Sequence, residues 1–211
     1  MSDTVKILGD ALSHKFANIR YLTLEAMSRL VATSESVAKM VKQHQKTVIS
    51  SLKDKDISIR KRALDLLYGM CNKSTSKLIV RELLDYLINA EYEVREELAT
   101  KIAILAEKFA SNKAWYVDVI LKLIRLAGED VPDDIWHRVI QVVLSCNEEI
   151  QTYAAQTVYQ QLFNPHWNEI TVRVAAYILG EFAGLIFKKR GTTALFSRAS
   201  ARIRACARAT D

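Results

Sequence analysis

The sequence predicts an all-α solenoid of about five helical hairpins, and three observations carry that expectation. Glycine and proline are scarce, at six and two in 211 residues, whereas sheet proteins use both freely in their turns. Apolar residues recur at helical spacing, and no strand pattern stands out. A short phrase, a β-branched residue followed by arginine and an apolar helical face, returns several times along the chain.

The phrase fixes the elements in order. It occurs at Ile19-Arg20, Ile59-Arg60, Val94-Arg95 and Val172-Arg173, with a fifth copy at Ile135-Trp136 where tryptophan takes the arginine slot. After Arg60 the positions at +3, +4 and +7 are Ala63, Leu64 and Leu67, and after Arg95 they are Leu98, Ala99 and Ile102. That spacing lines one face of an α-helix. Slots 20, 60, 95, 136 and 173 lie 40, 35, 41 and 37 residues apart, near the ~40 of HEAT and armadillo-type repeats. A second amphipathic helix fits between slots each time, at 37–52, 76–89, 114–128 and 149–163, with a shorter one at 5–15 ahead of the first. The fold class expected is therefore a right-handed α-solenoid of HEAT/armadillo-type helical hairpins. Helix starts are expected at Asn18, Asp56 and Asp133, whose side-chain oxygens can cap amides. Pro132, Gly128 and Asn164-Pro165 read as boundaries.

The four arginines Arg20, Arg60, Arg95 and Arg173 are expected to form a ladder, each guanidinium pairing with a carboxylate or carbonyl of the adjacent hairpin. Lys61 and Arg62 then face solvent. Residues 39–77 hold ten bases against three acids, and 82–97 answer with six acids against one base. Within the first stretch Lys53, Lys55, Lys61 and Arg62 form a candidate docking surface for an anionic partner.

The formal charge of +6 is local. Residues 188–211 contain seven of the thirty bases and one of the 24 acids, which leaves 23 of each in residues 1–187. The chain thus divides into a neutral helical body, 1–187, and a basic tail, 188–211. The tail drops the apolar words of the repeats. It reads either as a continuation foreign to them or as a basic, partly helical extension touching acidic lipid or RNA.

Cys71, Cys146 and Cys206 show no CxxC spacing, which suits a reducing compartment, and the first two, at the ends of apolar helical patterns, read as buried structural thiols. The start MSDTVKILGD lacks the layout of a signal peptide, and no apolar run reaches the ~18 residues of a membrane span; a soluble cytosolic chain is expected. None of the phosphate-loop, nucleophile-elbow or zinc-protease motifs occurs, and His14, His44, His137 and His166 lack metal-ligand spacing. Glu96 and Glu97 point about 100° apart on a helix and cannot share a proton. No enzyme, cofactor or metal is expected. Trp115, Tyr116, Trp136, Tyr153 and Tyr159 read as core packing, not as a base-stacking platform.

The words inside the repeats go further. NIRYLTLEAM, DISIRKRALDLLYGMC, REELATKIAILAEKFA, WYVDVILKLIRLAGEDV, DDIWHRVIQVV, YAAQTV and VAAYILGEF resemble the trunk of clathrin-adaptor large subunits, most closely their alpha-adaptin branch, from about His14 to Phe187. The resemblance implies a curved solenoid that cradles a small sigma subunit and packs against a beta-type large subunit and a medium subunit. It implies a scaffold for clathrin-mediated endocytosis and vesicle-mediated transport, peripheral on the cytosolic face of the plasma membrane at coated pits, with clathrin engaged indirectly and no nucleic acid. Family chains are several times longer, and their phosphoinositide and cargo contacts lie in earlier repeats, so neither is assigned to a residue here. Val5, Ile7 and Leu8 at one end and Leu185, Ile186 and Phe187 at the other read as cut faces that would self-associate. The alternative is a free-standing helical-repeat module whose stretch 39–77 captures an acidic peptide, a phospholipid headgroup or RNA.

Overall fold

The computed structural model describes residues 2–161 and 168–190. Among these, every regular element is helical, as the composition requires. The chain forms two compact units, Met1–Tyr86 and Leu87–Asp211. The basic tail beyond Arg190, with Cys206, and the expected boundary at Asn164-Pro165 with His166 lie outside the described residues.

The first unit holds α1 (Ser2–Ala11), α2 (Ala17–Thr33), α3 (Glu35–Val41), α4 (Gln45–Ser51) and α5 (Ile57–Met70), followed by α6 (Ser76–Leu87), whose last residue begins the second unit. The inner helices α2 and α5 pack side by side, α1 lies on α2 and α3, and α4 on α5. The face predicted after each slot is the buried one: Thr23, Leu24 and Met27 behind Arg20, and Ala63, Leu64 and Leu67 behind Arg60. One expectation needs correcting. The helix expected at 37–52 is two helices joined by a 3-10 turn at Lys42–His44. The turn seats the His44 ring against Gly9 of α1, in the space a methyl group there would fill. Val41 and Val48 remain fully buried on either side of it.

The second unit holds α7 (Tyr92–Phe109), α8 (Lys113–Ala127), α9 (Asp133–Leu144), α10 (Glu148–Gln161) and α11 (Glu169–Arg190). Helices α8 and α10 stack on one another, as do α9 and α11, so that hairpin lies on hairpin. Leu98, Ala99 and Ile102 behind Arg95, and Val139, Ile140 and Val143 behind Trp136, are all buried. In α11 the phase differs from the expected one. Ala176, Tyr177 and Gly180, the +3, +4 and +7 positions of Arg173, are exposed, while Val174, Ala175 and Ile178 are buried. The fifth slot is therefore Thr171, behind buried Ile170. A two-residue slip turns a helix by about 200°, which moves Arg173 to the solvent side.

Caps show where the local reading held. Asp56 Oδ1 accepts from the Ser58 amide at 2.8 Å and starts α5. Gly128 closes α8 at φ 59, and its N–H bonds the Ile124 carbonyl. Asn18 and Asp133, expected as caps, are instead inside the first turns of α2 and α9, whose cap positions are Phe16 and Pro132. Asp133 spends its carboxylate on the Trp136 indole at 2.8 Å. Ser34, Asn112, Asn147 and Asn168 also cap helices, with no expectation attached to them. At the ends of the body, Val5 and Ile186 are buried and Ile7 is 69% exposed.

Candidate functional site

Arg20, Arg60 and Arg95 each occupy the fourth residue of an inner helix, just beyond the turn that enters it. From there the guanidinium uses its two edges differently. Nη1 turns back to its own hairpin: Arg20 reaches the carbonyls of His14 and Lys15, Arg60 that of Asp54 at 2.5 Å, and Arg95 that of Leu87 at 2.9 Å. In Arg20 and Arg95 the other edge reaches forward. Arg20 Nε and Nη2 hold the two oxygens of Asp54, 34 residues on, at 2.9 and 3.1 Å. Arg95 Nε holds Asp130, 35 residues on, at 2.5 Å, and its Nη2 donates to the Leu126 carbonyl at 2.9 Å. Carboxylate and guanidinium are mostly buried in both pairs, so the planar fork fixes geometry as well as charge.

Arg173 departs from this arrangement. It pairs with Glu169 one turn back on its own helix, both half exposed. Its place is taken by Asn168, whose amide donates to the Ile124 and Arg125 carbonyls at the end of α8 while its oxygen caps Thr171 at 2.8 Å. Trp136, at the fourth residue of α9, bonds only within its own first turn among the contacts described. Its neighbour His137 is exposed and lies 3.6 Å from it, ring to ring.

The candidate basic surface divides. Lys53 and Lys55 are exposed, Lys61 and Arg62 half-buried. Arg62 bridges α5 to α2: Nε and Nη2 donate to the Tyr21 hydroxyl at 3.1 and 2.9 Å, with the guanidinium carbon 5.2 Å from the ring centre. That hydrogen bond raises the guanidinium above its ordinary pKa. The expectation that Arg62 stands on the solvated face is corrected accordingly: Tyr21, one residue past the first slot, supplies the partner.

The second unit carries a groove of about 260 Å³ between α7, α8 and α9, walled by Ala103, Ile104 and Ile135. Arg138 Nη2 meets Glu107 at 2.7 Å on its rim. Tyr116 forms its floor, and burial, helped by the Glu107 charge, pushes its phenol up to about 12. Of the expected core aromatics only Tyr116 is buried among Trp115, Tyr116, Trp136, Tyr153 and Tyr159. The Tyr153 hydroxyl donates instead to Asp118 at 2.8 Å, and that bond raises its pKa. A second cleft, of about 310 Å³, is acidic, with Glu93, Glu96 and Glu129 beside Tyr92 and Pro132. Cys71 is buried and Cys146 half-buried, both reduced. Among the described residues no three His, Cys, Asp or Glu side chains are grouped to hold a metal ion, and no helix is long and apolar enough to cross a membrane.

Hairpins clasped through arginines at their turns define a helical-repeat protein of the HEAT type. The family is equally plain: residues 1–209 match the adaptin N terminal region, and the chain belongs to that family. The match runs on through the basic tail. The chain is 56% identical over 186 residues to the AP-2 complex subunit alpha-2 of Dictyostelium discoideum, covering 88% of this chain and 19% of that protein. It is 53% identical over 199 residues to the AP-2 complex subunit alpha-1 of Arabidopsis thaliana, 93% of this chain and 20% of that one. Similarity to the AP-1 complex subunit gamma of Dictyostelium discoideum is lower, 37% over 182 residues, 86% of this chain and 20% of that protein. The chain thus spans about a fifth of the length of the curated relatives it matches.

Proposed function

We propose that the chain is part of the trunk of an adaptor-complex large subunit of the alpha type, and that it works by docking other subunits. The observation that carries this reading is the 56% identity to an AP-2 alpha subunit over 186 residues, set against 37% to an AP-1 gamma subunit. On this reading residues 1–187 are trunk hairpins. Their partners are a sigma-type small subunit, a beta-type large subunit and a medium subunit, and clathrin is reached through the assembly. The protein acts in clathrin-mediated endocytosis and vesicle-mediated protein transport, peripheral on the cytosolic face of the plasma membrane at coated pits, and contributes shape instead of catalysis. The clasped arginines support it physically. A surface that docks several partners at once must hold its turns in fixed register, and part-buried arginines forked between a carboxylate and carbonyls of adjoining segments do so.

Co-expression with a sigma-type small subunit tests the proposal. A stable one-to-one complex that survives size-exclusion chromatography is the expected result. Failure to co-purify with any of the three partner types, from a chain whose helical circular dichroism is intact, would overturn it.

A further inference from the structure

We propose that the outer face of α3 and α4 docks an extended acidic segment of a partner protein. Lys39 on α3, Gln43 in the 3-10 turn, Lys46 and Ser50 on α4 and Lys53 just past its end are all exposed and follow one another at four- and three-residue steps, the spacing of one helical face. The opposite face, Val37, Val41, Gln45, Val48 and Leu52, is buried, so the 3-10 turn between the helices leaves the row in line. Residues 36–53 contain no acid; Glu35, at one end, sits 3.4 Å from Lys39. At the middle of the row Lys42 donates to Ser74 Oγ at 2.9 Å. That bond draws in the start of α6, where Lys73 in the turn before it and Lys77 in its first turn are exposed.

The shape of this field selects its occupant. From Lys39 to Lys53 the row is about 21 Å long at ~1.5 Å per residue, and an extended chain covers that in roughly six residues at ~3.3 Å each. The exposed row itself is narrow, with Lys73 and Lys77 flanking it on one side only, which suits a linear chain better than a plane of headgroups. Gln43, between the lysines, offers an amide to a backbone, and the Ser50 oxygen, whose proton goes to the Thr47 carbonyl, can accept from a backbone N–H. No aromatic side chain of residues 36–53 other than His44 is available to stack on bases, which disfavours single-stranded RNA. No large apolar residue of the row is exposed to enter a bilayer, unlike an interfacial helix. Lysines are point charges on flexible stems, so the surface reads acidity more than sequence.

Fluorescence anisotropy of a labelled ten-residue glutamate-rich peptide against the intact chain tests this. Two triple variants lose the same charge and both retain the basic tail. One neutralises the row, Lys39→Gln, Lys46→Gln and Lys53→Gln. The other neutralises exposed lysines elsewhere, Lys6→Gln, Lys15→Gln and Lys113→Gln. The row variant is expected to bind at least tenfold more weakly, the other within twofold of the parent, with parental binding weakening as salt rises from 50 to 200 mM. Equal losses in the two variants, no binding by the parent, or row-dependent binding of phosphatidylserine vesicles or RNA in preference to the peptide would each overturn the proposal.

Discussion

Replacing Arg20 and Asp54 singly and together is expected to reveal a coupling of about 2 kcal/mol. With charge centres about 4 Å apart and an effective dielectric of about 20, their attraction is about 4 kcal/mol. Desolvation and the ordering of a long side chain offset roughly half of that. The side chains are 21% and 14% exposed, so the pair is well shielded from water. Arg20→Ala alone should cost about 3 kcal/mol, because the bonds to the His14 and Lys15 carbonyls go as well, each contributing about 1 kcal/mol or less. Arg173 and Glu169 supply the internal control. Their side chains are 55% and 51% exposed and one turn apart, where coupling is about 0.3 kcal/mol. Urea unfolding followed by far-ultraviolet circular dichroism measures both cycles. Repeating them in 1 M salt, where the screening length is about 3 Å, should abolish the second coupling and leave most of the first. Equal couplings at the two sites, or an Arg20→Lys variant as stable as the parent, would refute the two-edged clasp.

Burial holds the Tyr116 phenol at about 12, above the ordinary value of 10.0. A group raised in the folded state supports folding below its unfolded pKa and withdraws that support as pH rises. Stability should therefore fall between about pH 10 and 12, and a Tyr116→Phe variant should show a flatter decline in denaturant midpoint over that window. Gly9→Ala would place a methyl 2.0 Å from His44 Cε1; a loss of about 1 kcal/mol is expected, since overpacking costs ~1–3 kcal/mol and an imidazole can swing aside. Adding His44→Ala should restore most of it, seen as recovery of the thermal midpoint. Asn168→Ala removes the cap of α11 and two bonds to α8 carbonyls, about 2 kcal/mol together. Hydrogen exchange should then rise first in the opening turn of α11.

Helix faces were legible wherever the slot and its apolar neighbours agreed, because burial of one stripe is a local property of spacing. Arg20, Arg60 and Arg95 sit where that spacing puts them. At Arg173 it misled: the string offers a β-branched residue before an arginine, but the helix buries the stripe set by Ile170, two residues earlier. The choice belongs to Asn168, which is tied to carbonyls 43 and 44 residues upstream, and no local pattern encodes that. Arg62 likewise donates to a hydroxyl that its own helix pattern does not contain, that of Tyr21, 41 residues away. The break at Lys42–His44 answers to a glycine on another helix. In each case the deciding contact is tertiary, and its two halves look ordinary apart.

Asp54 and Arg60 lie six residues apart, one facing the hairpin before and the other closing its own. The loop between α4 and α5 thus receives the clasp of the hairpin before it and closes its own turn. A duplication that copies this loop with its flanking helices would arrive already able to join its neighbours, with no new contact to invent. An array built this way can lengthen by copying, and it goes on where the clasp changes: Trp136 follows Asp130 in place of an arginine, and the next helix is tied back to α8 through Asn168 instead.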